Sequence, residues 1–183
     1  MVRGRIWCAA AVVLLASGCA KETEPVALPA MAPVPNGAVA ASAGGACGML
    51  DFAVIEEHAG VRFDVAAASE RGDSHTCVLR VGRESLPELT LSVSTTSLDK
   101  AAFTADMVPD KAEKVAGLGQ EAYRRTVAAS GKNGPAAEVG WLADEGRLAV
   151  LHYTLPPDTE RAAAEELTGK LADLAKTVQV APL

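Results

Sequence analysis

The stretch Leu89-Thr90-Leu91-Ser92-Val93-Ser94-Thr95-Thr96 decides the fold. Leu89, Leu91 and Val93 alternate with Thr90, Ser92 and Ser94, the period of two shown by a strand with one buried face and one wet face. That pattern belongs to an antiparallel sheet, because parallel strands are apolar on both faces. Working outward, Cys77, Leu79 and Val81 alternate in the same way, as do Val61, Phe63 and Val65, with a polar loop expected over 66–74. Downstream, Ala122–Val127 reads as a strand, and Ala136–Ala143 and Arg147–Leu155 read as a hairpin turning at Asp144-Glu145-Gly146. Three helices complete the pattern. Leu50–Ala59 has Asp51 as N-cap and Gly60 just beyond its end, and Ser97 is the expected cap of a helix reaching about Met107 and burying either Leu98, Ala102 and Ala105 or Ala101, Ala105 and their neighbours. The last helix follows Pro156-Pro157 with Asp158 as expected N-cap. Its Leu167, Leu171, Leu174 and Val178 fall on one face, while Glu166 and Lys170 pair on another. The order of helix, three strands, helix, three strands, helix predicts an α+β domain over residues 47–183. It would be an antiparallel sheet of about five to six strands with flanking helices and a long C-terminal helix packed on it.

The N-terminus has a different character. Arg3 and Arg5 precede an uncharged run from Ile6 to Gly18, too short to cross a bilayer as a helix, which takes about 20 residues. Residues 1–18 therefore read as a signal peptide. Leu15-Ala16-Ser17-Gly18-Cys19 resembles a bacterial lipobox, which makes Cys19 the lipidated first residue of the mature protein. A diacylglyceryl group supplies the two chains that stable anchoring needs. Residues 19–46 form the expected lipid-anchored tether. Pro25, Pro29, Pro33 and Pro35 stand among alanines and glycines with little to bury, so disorder is expected there.

Cys8 leaves with the signal and Cys19 carries lipid, which leaves Cys47 and Cys77 as a pair in an oxidising compartment. A disulfide is expected. His58, His75 and His152 are too scattered for a metal site, and no cofactor is implied. From Cys47 onward the chain holds 14 Lys and Arg against 21 Asp and Glu, and this acidic balance excludes nucleic acid as a partner. Aromatics make up only 4% of the chain, too few for saccharide-stacking platforms.

No catalytic constellation is visible. His152 lies on the predicted last strand, on the face opposite Leu151 and Tyr153, and reads as a solvent-facing or satisfied histidine. Glu56-Glu57 and Glu165-Glu166 splay apart on helices. Ser130-Gly131-Lys132-Asn133-Gly134 lacks phosphate-loop spacing. Arg71-Gly72-Asp73 matches an integrin-binding tripeptide but is also ordinary turn chemistry.

Cys47-Gly48-Met49-Leu50, Cys77 and Gly117-Leu118-Gly119-Gln120-Glu121-Ala122, behind a signal, lipobox and tether, resemble an actinobacterial lipoprotein family catalogued as domain of unknown function 3558. The family pattern has a proline where Ala46 stands, a tryptophan where Leu79 stands and an acid where Gln120 stands. The resemblance implies a fold similar to PsbP-like lipoprotein domains and brings no catalytic residues. The expectation is a non-catalytic binding or accessory module on the extracytoplasmic face of the cell membrane. The lipid would hold it there, and an envelope protein or an apolar ligand would be its partner. The alternative is an envelope enzyme with a dispersed site.

Overall fold

A computed structural model describes residues 40–180, which lie within one compact unit. The expected signal peptide, Cys19 and the tether up to residue 39 lie outside the described residues. Seven antiparallel strands, β1 (Val65–Arg71), β2 (Ser74–Arg80), β3 (Glu88–Thr95), β4 (Glu113–Lys114), β5 (Glu121–Val127), β6 (Ala136–Ala143) and β7 (Arg147–Thr154), form one sheet in the order β1-β2-β3-β7-β6-β5-β4. The helices are α1 (Phe52–Ala59), a short α2 (Lys100–Ala102) that runs on as a π-helical turn (Phe103–Met107), and α3 (Arg161–Thr177). This is the expected α+β architecture with its C-terminal helix on the sheet.

Side-chain alternation assigns the two faces of the sheet. Leu89, Leu91, Val93, Val139, Trp141, Ala149, Leu151 and Tyr153 all face one way and are buried against α3 and α1. Leu167, Leu171 and Leu174 of α3 enter the same core, and Phe63 meets Tyr153 edge-on at 5.8 Å. Among the described residues the opposite face is covered at one corner only, where Phe103 of the π-helical turn packs with Tyr123 and Leu142. Elsewhere it carries Thr76, Val78, Thr90, Ser92, Val150 and His152, all half-buried.

Four expectations need correction. Val61 to Asp64 do not form the expected strand, which instead starts at Val65, and residues 66–74 are not a loop but β1 and its turn. Gly72-Asp73 link Arg71 to Ser74, and pairing with β2 recruits a segment whose alanines carry no strand periodicity of their own. The second helix is capped by Asp99, whose Oδ1 accepts the Ala102 amide at 2.8 Å. Ser97 is exposed, and Phe103 is buried in place of Leu98 or Ala105. Asp158 does not cap α3, because Pro156-Pro157-Asp158-Thr159 close a turn of their own through the Thr159 amide and the Pro156 carbonyl. The helix starts from Glu160 instead, with no side-chain cap. Finally, the expected tether is ordered from Ala40. Two short 3-10 turns, Ala40–Ala43 and Gly45–Met49, bury Ala40, Ala46 and Cys47 completely, so the packed chain begins ahead of Cys47. Asp51 and Gly60 cap α1 as expected, with Gly60 left-handed.

Candidate functional site

Cys47 and Cys77 are joined, with a Cα–Cα distance of 4.9 Å across a separation of 30 residues. The bond ties the second 3-10 turn to β2 within the core, so its role is structural. Among the described residues no group of three His, Cys, Asp or Glu could hold a metal ion. The three histidines stay apart. His75 approaches Glu70 at 3.8 Å, and only His152 lies beside a buried charge.

That charge is Glu138. The strand Ala136–Ala143 is buried throughout, and Glu138 is its single ionisable residue, 8% exposed. The hairpin register sets Glu138 directly across from His152, and the β5–β6 register sets it across from Arg125 on the other side. Arg125 Nε donates to Glu138 Oε1 at 2.6 Å, Tyr123 Oη donates to the same oxygen at 3.1 Å, and His152 Nδ1 meets Oε2 at 3.0 Å. Burial works against the charge, but the hydrogen bonds from His152 and Arg125 outweigh it and hold Glu138 down at about 2. Burial and then the Glu138 charge push Tyr123 up, so it stays a donor; the Glu138 hydrogen bond raises Arg125.

Gly140 makes this arrangement fit. A Cβ there would lie 2.5 Å from the Tyr123 ring, so the glycine lets the ring lie across β6 and reach Glu138. Phe103 supports the same ring at 6.2 Å between centroids. The result is a row across the open face, Arg125, Glu138, His152, Thr90 and Val78, one residue from each of five adjacent strands.

The chemistry of this row is limited and definite. With three donors and a low proton affinity, Glu138 is a fixed anion and not a general base. It orients the His152 ring, which is about one-third exposed and whose Nε2 has no hydrogen-bond partner among the described residues. No hydroxyl or thiol is bonded to that ring. A cleft of about 570 Å³ beside β5 and α3 is lined by Lys111, Arg124, Arg161, Glu113 and Glu165, and also by Arg125 of the row. Arg124 pairs with Glu113 at 2.7 Å and Arg161 with Glu165 at 2.8 Å, so its charges largely satisfy one another.

Comparison with protein-family models, with curated proteins and with solved structures found no match. The Gly117-Leu118-Gly119 segment places its own demands on the backbone. Both glycines are left-handed, and a Cβ on Gly119 would fall 2.4 Å from the Leu142 carbonyl oxygen.

Sequence reasoning missed Glu138, Arg125 and Tyr123 as a group. A signal for the first was present, since a lone carboxylate inside an apolar strand calls for partners.

Proposed function

We propose that this protein is a lipid-anchored envelope module that binds a protein partner through the open face of its sheet, without transforming it. The observation that carries the reading is the asymmetry of that sheet. One face is filled by α1 and α3, while the other presents hydroxyls, small apolar side chains and the ordered Arg125–Glu138–His152 row. Loops and flexible side chains lose entropy on binding; a sheet face with side chains held by ion pairs has less to lose. Support for the anchor is the signal-like run ending in Leu15-Ala16-Ser17-Gly18-Cys19. No helix among the described residues is long and apolar enough to cross a membrane. The resemblance carried by Cys47-Gly48-Met49-Leu50, Cys77 and Gly117–Ala122 points the same way.

Two measurements test the proposal. Cys19→Ser should move the exported protein from the detergent phase to the medium; retention in the membrane fraction would remove the anchor. A photo-crosslinking residue at Ser92, on the open face, should capture one discrete partner on intact cells, while one at Lys170 on α3 should not. Equal capture at both positions would displace the binding surface from this face.

The oriented His152 ring favours one second reading, an envelope hydrolase. In that case a p-nitrophenyl ester would be turned over by the wild type and not by His152→Ala. Absence of turnover by the wild type rejects it.

A further inference from the structure

The sheet ends at β1, an edge that no strand among the described residues pairs with, although the 3-10 turns Ala40–Ala43 and Gly45–Met49 pack beside it. Six of its seven residues are exposed, and among the described residues its outer side takes part in no backbone hydrogen bond. Such edges template pairing, and proteins blunt them with lysine, proline, bulges or a covering loop. Val65-Ala66-Ala67-Ala68-Ser69-Glu70-Arg71 contains neither lysine nor proline, and its register with β2 runs unbroken.

The register shows which backbone groups are free. Gly72-Asp73 form a two-residue hairpin loop closed by Arg71 and Ser74, and in such hairpins the closing pair exchanges its hydrogen bonds. Arg71, Ser69, Ala67 and Val65 therefore bond inward to β2. Ala66, Ala68 and Glu70 turn their N–H and C=O groups outward.

We infer that β1 pairs antiparallel with β1 of a second copy of this chain, with Ala68 on the two-fold axis. The free residues are symmetric about Ala68, so Ala68 opposes Ala68 of the second copy and Ala66 opposes its Glu70, each pair exchanging two hydrogen bonds. The four central positions, Ala66 to Ser69, are small on both faces, so the edges can close to the usual strand spacing of about 4.8 Å without side-chain obstruction. The same register sets Arg71 of the second copy opposite Val65. Val65 is the exposed large apolar residue of the described chain, at 39%, and the stem of an arginine covers such a residue while its head stays in water. A strand pair of this length buries less than a standard interface, so the dimer is a reversible one.

The test uses the exported chain with Cys19→Ser, so that no shared lipid micelle holds two copies together. Sedimentation should show a monomer–dimer equilibrium, and Ala68→Pro should abolish it while leaving the far-ultraviolet spectrum unchanged. Proline there removes only an outward donor. Register is read by mixing Ala67→Cys chains with Ser69→Cys chains. The two positions face each other across the pair at a Cα distance of about 4.5 Å, within disulfide range. Mild oxidation should crosslink the mixture and neither variant alone. A wild type that stays monomeric up to ~1 mM, the weak end of specific association, overturns the inference. So does a dimer that survives Ala68→Pro. A monomer whose Ala68 amide is protected from hydrogen exchange would place a segment of the same chain on the edge, and also overturns it.

Discussion

A carboxylate inside an apolar strand costs several kcal/mol unless its oxygens are met, and at Glu138 three donors meet them. The consequence is a pH dependence with a fixed sign. Glu138 is held at about 2 against an ordinary value of 4.5, so between those pH values the unfolded chain binds a proton that the folded chain does not. The stabilisation, on the order of 3 kcal/mol, is complete above pH of about 4.5 and is lost as pH falls toward about 2. Urea midpoints measured across that window should fall steeply for the wild type and more shallowly for Glu138→Gln, which has no carboxyl to protonate there. Parallel slopes for the two proteins would show that the charge is not held as described. One of these three contacts was legible in the sequence. A hairpin turning at Asp144-Glu145-Gly146 fixes Glu138 opposite His152 by counting alone. Arg125 and Tyr123 were not legible, because the loop from Ala128 to Pro135 leaves the β5–β6 register open, and because it takes a glycine at position 140 to admit the tyrosine ring.

Among the elements, α3 is the most faithfully written in the sequence. Leu167, Leu171 and Leu174 are all buried, and Val178 just past the helix end joins them. Lys170 is half exposed and pairs only with Glu166, at 2.6 Å. Leu171→Ala should therefore destabilise the domain by about 2–5 kcal/mol, and Lys170→Ala by no more than about 0.5 kcal/mol. Denaturant midpoints with unchanged slopes check both. Equal effects would mean that α3 is peripheral to the core. β1 and α2 mark the opposite case. The alanines of β1 have little strand preference and become a strand because Ser74–Arg80 offers them an edge. Ahead of α2 the Thr96 hydroxyl accepts the Leu98 amide at 3.1 Å, so Ser97 is passed over and the helix starts two residues later, from Asp99.

For the whole molecule, the Cys47–Cys77 bond joins the entry of the chain to the sheet and is the one covalent constraint on that segment. Intact mass after alkylation should show no free thiol at either position without reductant. Cys77→Ala should cost about 2–5 kcal/mol, as removal of a disulfide does in small secreted domains. The strand order β1-β2-β3-β7-β6-β5 is symmetric about the β3–β7 pair, as a duplicated three-strand unit would be. The helices break that symmetry, because α1 joins the core beneath α3 while Phe103, following α2, packs on the other face. The sequence alone determined the α+β class, the hairpin register, the cysteine pair and the helix that covers the sheet. The cysteine pair follows from elimination of the other two cysteines, and the rest from periodicity or spacing within a short stretch of chain. Tertiary structure alone decided that β1 exists, that one face is left open among the described residues and that Arg125 and Tyr123 converge on Glu138. Those outcomes depend on which strands become neighbours, and neighbours far apart in sequence leave no local period to read.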